Sequence, residues 1–265
     1  MELVQGRIAV AACVLALLLT ACAAPGGTSV RSSSSPGPAG IARTCPDPDL
    51  SPNGPTASPR SSCAPALGTV IANVDCTASR VDGIYLDTFN VKTGTHNDGS
   101  VKRETADDGQ CRFLVPQNYQ ATLSTKEGAL SATAIIDFTP RLGTAFIGLD
   151  MRCKTPDGGP PCAGAAIATD QTYLCLDATD TKQVLARGSY ATDHASGPRL
   201  LMGKPNRLVM SITGKHMTAY LNGRVVCETD VQAAATSHVL LTINGPPTAG
   251  AATVDVGHFY VFHAP

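Results

Sequence analysis

Asn206-Arg207-Leu208-Val209-Met210-Ser211-Ile212-Thr213 runs through Gly214-Lys215 into His216-Met217-Thr218-Ala219-Tyr220-Leu221-Asn222-Gly223-Arg224-Val225-Val226. Its period is two. Leu208, Met210 and Ile212 share one face, and Val209, Ser211 and Thr213 share the other. Met217, Ala219 and Leu221 then alternate with His216, Thr218, Tyr220 and Asn222. Such alternation places successive side chains on opposite faces of a β-strand. Asn222-Gly223 is the strongest hairpin signal in the chain, because both residues tolerate the positive φ of a type I′ turn.

The same pattern spreads outward from this hairpin. Strands are expected at Thr69–Asp75, Gly83–Val91, Cys111–Thr125, Leu130–Phe138, Thr144–Arg152, Ala163–Thr169 and Thr172–Asp177. Further strands are expected at Gln183–Arg187, Arg207–Thr213, His216–Leu221, Val225–Thr229, His238–Ile243 and Thr253–Phe262. Gly, Pro, Asn and Asp punctuate them at short spacing, and no long helix-period segment occurs. This predicts an all-β fold, an antiparallel sandwich, over residues 67–265, a normal size for one such domain.

Upstream of Leu67 the composition changes. Ser32-Ser33-Ser34-Ser35-Pro36-Gly37-Pro38 and the prolines at 46, 48, 52, 55, 59 and 65 cannot build a core. Residues 22–66 read as an extended tether. Residues 1–21 read as a signal peptide, with an apolar run from Ile8 to Leu19 too short for a comfortable membrane span. Leu19-Thr20-Ala21-Cys22 resembles the lipobox of bacterial lipoproteins. That resemblance implies lipidation of Cys22 and an anchor on the extracytoplasmic face of the cell membrane. Two acyl chains suffice for stable anchoring.

The chain carries ten cysteines. Cys13 leaves with the signal and Cys22 is the lipid site. The eight that remain, an even number in an exported protein, read as disulfides. Cys153 and Cys162 bracket Lys-Thr-Pro-Asp-Gly-Gly-Pro-Pro, so a bond between them would staple a hairpin. The other pairings stay open. Zinc is not expected, since no CxxC pair occurs. The formal charge is −1, with no basic arm, so nucleic acid is not expected as a partner.

The hairpin has a family likeness as well. Asn206-Arg207-Leu208, the Tyr220-Leu221-Asn222-Gly223 turn and a closing strand at Thr253–Val261 resemble the concanavalin-A-like jelly-roll superfamily, including laminin-G-like domains. Phe146–Cys153 and Thr172–Leu176 resemble strands of actinobacterial surface proteins. The resemblance implies a jelly roll and is nearly silent on activity. With the anchor and the scarcity of catalytic signals, the expected function is a non-catalytic domain that binds a cell-envelope glycan or protein. A carbohydrate-active hydrolase, or a structural accessory lipoprotein without a small ligand, are the alternatives.

Catalytic signals are sparse. Glycoside hydrolysis needs two carboxylates flanking one bond. The only glutamates after the signal are Glu104, Glu127 and Glu228, and no Glu-x-Asp-x-Glu strand occurs. Gly-x-Ser-x-Gly is absent, and Asp193-His194-Ala195-Ser196 is a polar loop rather than a converging triad. No catalytic residue and no obligatory cofactor is expected. Calcium would need six to eight oxygens, for which Asp170, Asp177, Asp180 and Asp230 are the available donors. No tryptophan offers a sugar platform. The expected binding residues are Tyr190 and Arg199 in the Gly188–Pro205 loop, and Tyr220 on a sheet face. The Thr93–Gln110 loop is a second candidate for binding.

Overall fold

A computed structural model describes residues 67–75, 80–82, 84–90, 92–96, 99–125, 131–143, 145–153, 162–177, 183–189, 199–231, 238–246 and 250–264. The signal segment, Cys22, the whole of the tether, Asp180 and Tyr190 lie outside them. In chain order the strands are β1 Val70–Asp75, β2 Arg80–Asp82, β3 Ile84–Asn90, β4 Thr95–His96, β5 Lys102–Thr105 and β6 Cys111–Pro116. They continue with β7 Tyr119–Thr125, β8 Ala132–Leu142, β9 Phe146–Cys153, β10 Ala163–Ala168, β11 Thr172–Asp177 and β12 Gln183–Ser189. The last are β13 Asn206–Thr213, β14 His216–Leu221, β15 Arg224–Asp230, β16 His238–Asn244 and β17 Ala251–His263. Among the described residues no helix is long and apolar enough to cross a membrane.

All pairings are antiparallel and form two sheets. The nine-stranded sheet runs β15-β14-β13-β8-β17-β1-β2, with β6 also on β17 and β5 on β6. The eight-stranded sheet runs β12-β11-β10-β9-β16-β7-β3-β4. The long β17 organises the first sheet. One of its edges pairs along its length with β8, and the other pairs first with β6 and then with β1. The inward side chains of both sheets make one core, with Phe113, Phe138, Phe259, Ile136, Leu149, Met210 and Leu208 essentially inaccessible. Burying such side chains is the main stabilising term, roughly 1.5–3 kcal/mol for each large one.

Two covalent links are described. Cys153 and Cys162 are joined across the β9–β10 hairpin, Cα atoms 4.4 Å apart, and pack against Leu240. Cys175 of β11 is joined to Cys227 of β15, Cα atoms 6.8 Å apart. This second bond ties one sheet to the other. Cys111 is also disulfide-bonded.

The expected single strand Cys111–Thr125 is two strands. β6 belongs to the nine-stranded sheet and β7 to the eight-stranded one. Pro116 cannot donate to a ladder, Gln117 donates its N–H to Gly250 instead, and Asn118 takes a φ of 64°. The chain crosses between layers there. The expected Thr93–Gln110 loop likewise contains the short strands β4 and β5, whose side chains are all exposed and so carry no alternation to read.

Asn222 and Gly223 take φ values of 51° and 74°, as a type I′ turn requires. Asn222 does more than turn. Its Oδ1 accepts the Arg207 N–H at 2.8 Å, and its Nδ2 donates to Asn206 Oδ1 at 3.0 Å and to the Arg199 carbonyl at 2.9 Å. Asn206, 3% exposed, completes the network by binding the Leu201 N–H and the carbonyls of Leu201 and Lys204. The two asparagines of the sequence signature therefore hold the segment before β13 onto the hairpin.

Candidate functional site

The outer face of the eight-stranded sheet is built by the residues that alternate with the core positions, and strand register places them in rows. Asp87 of β3, Thr122 of β7, Thr242 of β16, Gly148 of β9 and Ala166 of β10 form one row. Ser124, Leu240, Asp150 and Gly164 form the next. On the other side lie Phe89, Gln120, Asn244, Phe146 and Ala168, with His96 of β4 beside Phe89.

This face is polar, small and poorly hydrated. Asp87 is 3% exposed, Thr122 2%, Ser124 0% and Thr242 7%. Gln120 Nε2 donates to Thr122 Oγ1 at 2.8 Å. Asp87 Oδ2 lies 2.7 Å from His96 Nδ1, while Oδ1 of the same carboxyl has no hydrogen-bond partner, and neither does Ser124 Oγ. Buried oxygens are nearly always paired, and an exception calls for a reason such as a ligand or water position. The His96 ring also meets Phe89 at 4.8 Å between centroids.

Asp150 stands further along the sheet. The Thr242 hydroxyl lies 3.3 Å from Asp150 Oδ2 and 3.4 Å from the Gly148 carbonyl. Burial disfavours the charged carboxylate and pushes its pKa up to about 6, against the lowering effect of the Thr242 hydroxyl. Gly164 makes room for this carboxyl, because a Cβ there would collide with Asp150 Oδ1. A Cβ on Gly148 would fall 2.9 Å from Thr242 Oγ1. Gly148, Gly164 and Ala166 thus form a low strip flanked by hydroxyl and carboxyl groups.

Sequence reasoning did not single out these residues. The signal was present in Tyr119-Gln120-Ala121-Thr122-Leu123-Ser124-Thr125, where short hydroxyl side chains replace the long charged ones usual on a solvated strand face. The residues it did single out lie elsewhere. Arg199 is exposed, with its backbone held by Asn222. Tyr220 lies on the outer face of the other sheet, as its alternation requires, but it is not a surface aromatic. It is 7% exposed, packed with Ile135, Val209 and Phe262, and flanked by Leu67, Val225 and Tyr260. That second apolar layer was invisible in a strand read alone.

The described calcium donors, Asp170, Asp177 and Asp230, do not meet. Asp170 caps its own turn through the Thr172 N–H and hydroxyl. Asp177 is buried at the far end of β11, and Asp230 pairs with His216 at 3.1 Å on the nine-stranded sheet. Among the described residues no group of three or more His, Cys, Asp or Glu is placed to hold a metal ion.

No protein-family model matches the chain, and no curated protein matches it in sequence. Solved structures match it in shape. LamA from Z. galactanivorans, in complex with laminaritriose and laminaritetraose, is 14% identical with a TM-score of 0.53, over 75% of this chain and 100% of that one. The catalytic domain of an endo-1,3-beta-glucanase (laminarinase) from Thermotoga petrophila RKU-1 is 9% identical, with a TM-score of 0.51 over 76% and 99% of the two chains. A Bacillus subtilis protein with a galectin-like fold is 10% identical, with a TM-score of 0.51 over 75% and 98%. At such identities the likeness speaks for architecture alone: the chain is an all-β antiparallel sandwich of the jelly-roll, concanavalin-A-like kind.

Proposed function

We propose that this protein is a non-catalytic carbohydrate-binding lipoprotein of the cell envelope, anchored through Cys22, that takes a glycan along the outer face of its eight-stranded sheet. The observation that carries this reading is the pair of buried, unbonded oxygens on that face, Asp87 Oδ1 and Ser124 Oγ. They sit among further hydroxyl and amide groups and beside the low strip at Gly148 and Gly164. Sugar hydroxyls donate and accept, so they complement such a surface. The LamA structure, of similar fold, holds laminaritriose and laminaritetraose.

Two further points support binding over hydrolysis and over a protein partner. Asp87 and Asp150 are three strand intervals apart, about 14 Å at roughly 4.8 Å each. Paired glycosidase carboxylates stand about 5–9.5 Å apart. The apolar cluster around Tyr220 is buried rather than presented as a patch, so that cluster does not offer a protein partner a surface.

The test is titration of the purified chain against a glycan array and against soluble laminaritriose, with Asp87→Ala and Thr242→Val as comparators. Binding lost at least tenfold in both variants supports the reading. Wild-type protein that retains no glycan overturns it, and turnover of any oligosaccharide overturns its non-catalytic part.

A further inference from the structure

On the outer face of the nine-stranded sheet, where β6, β17 and β8 run side by side, a cavity of about 480 Å³ opens to solvent. Asp107, Asp108, Arg112, Arg141, Leu142 and Thr253 line it. We infer that this cavity is a second saccharide subsite, which receives a pair of adjacent hydroxyls of a neutral sugar. The inference rests on the glycan-binding reading and adds a location that reading does not contain.

Behind the two lining arginines lies Asp255, 0% exposed although it stands on the outward face of β17. Its carboxylate accepts Arg112 Nε at 2.7 Å, Arg112 Nη2 at 2.9 Å and Arg141 Nε at 2.7 Å. Three charge-assisted bonds to one buried group hold both guanidinium planes in fixed positions. Fixing donors before a ligand arrives removes part of the ordering cost of binding. Among the described residues Nη1 of Arg112 and both Nη atoms of Arg141 have no hydrogen-bond partner, so three nitrogen donors remain available.

Acceptors stand beside them. Asp108 Oδ2 lies 3.6 Å from Arg141 Nη2, too long for a hydrogen bond and short enough for a hydroxyl to bridge nearby. Asp107 and Asp108 are both exposed. The lining holds two cations and two anions, and the Asp255 carboxylate bonded behind the arginines tips the local balance to negative. A carboxylate or phosphate ligand meets repulsion from that excess. A neutral polyol meets donors and acceptors together. Leu142, 69% exposed, offers an apolar surface for the C–H side of a sugar ring. The volume falls within the range of small-molecule sites. A buried ion pair of this kind is not needed to hold a sheet, since apolar replacements commonly do as well.

The experiment is an NMR titration of the full chain with laminaritriose, and separately with glucuronate. Arg141→Ala and Asp108→Ala are the variants, because each leaves the two Arg112–Asp255 bonds intact. Side-chain shifts of Arg141 and Leu142, and at least tenfold weakening at this locus in Arg141→Ala with Asp87-side shifts preserved, are expected. Shifts confined to the eight-stranded sheet, or unchanged affinity in both variants, would overturn the subsite and leave the glycan reading standing. Tighter binding of glucuronate here than of laminaritriose would overturn the neutral-sugar assignment. Absence of any response in wild type, at either face, would overturn the glycan reading itself.

Discussion

The two outer faces of this sandwich are built from the same alternation and differ in the kind of polar group they carry. On the nine-stranded sheet the charges are matched. Asp255 holds Arg112 and Arg141, Arg207 grips Asp137 through two bonds at 2.6 and 2.8 Å, and Thr133 meets Ser211 at 3.0 Å. Between them an apolar layer of Ile135, Val209, Tyr220 and Phe262 is sealed from water. On the eight-stranded sheet the polar groups are smaller and Asp87 Oδ1 and Ser124 Oγ have no hydrogen-bond partner, while on the nine-stranded sheet Asn73 Oδ1 of β1 is likewise unpaired. A matched face stabilises the fold. An unmatched one costs stability that a bound partner returns, which is how binding sites are commonly distinguished from structural polarity.

The comparison is most exposed to a core-type mutation on the matched face. Ile135→Ala should cost about 2–4 kcal/mol, as for a buried residue, read by urea denaturation, with laminaritriose affinity unchanged. A loss below 1 kcal/mol would mean that this layer is not the closed packing described.

The buried carboxyls give the two faces opposite pH responses. Asp150 is raised in the fold to about 6. A raised acid contributes most at low pH, so stability should fall as pH rises from about 4 through about 6. Asp150→Asn should remove that slope and raise stability at pH 7 by roughly 2–3 kcal/mol. Asp255 behaves the other way. Its burial disfavours the charge, but the hydrogen bonds and charges of Arg112 and Arg141 outweigh this and hold its pKa below the ordinary carboxylate range. Its contribution is present above about pH 4 and disappears as the medium becomes more acid. Asp255→Asn should therefore cost roughly 1–3 kcal/mol at pH 7, with the gap to wild type closing in acid. Thermal melts of both variants from pH 3 to 8 check the pair; parallel curves would erase the contrast.

Ser124→Ala on the unmatched face removes an unbonded buried hydroxyl, so it should be neutral or stabilising by up to about 1 kcal/mol, while weakening glycan binding. Arg199→Ala, with an exposed side chain and a backbone-only anchor, should shift stability by less than about 0.5 kcal/mol. A calorimetric scan separates these outcomes.

Much of this architecture was readable in advance, and where it was not the reason is physical. The hairpin at Asn222-Gly223 and the partition of Leu208, Met210 and Ile212 from Val209 and Ser211 follow from local chemistry. The break at Gln117-Asn118 did not show, because Cys111, Phe113, Val115, Ala121 and Leu123 all face the core and keep one phase across it. A crossing between sheets that preserves parity leaves no mark on periodicity. The candidate site was hidden for a different reason. Asp87, Thr122, Thr242 and Asp150 come from four strands whose lateral order, β3-β7-β16-β9, is not their order in the chain. The burial of Tyr220 was not legible because exposure depends on what lies over a sheet, which alternation does not encode.

The bond between Cys175 and Cys227 has a bearing on where and how this molecule can be made. It closes a loop over 52 positions of sequence and spans the two layers, worth about 4 kcal/mol in the chain-entropy model, a large part of a domain's usual margin of about 5–15 kcal/mol. Glutathione and thioredoxin keep thiols reduced in the cytosol. Chains retained there hold their layers together by apolar contact alone along this seam. Material purified from a reducing cytoplasm and material recovered after export are then different samples of one sequence, and their melting points, protease resistance and yields should be compared only after the thiols have been counted.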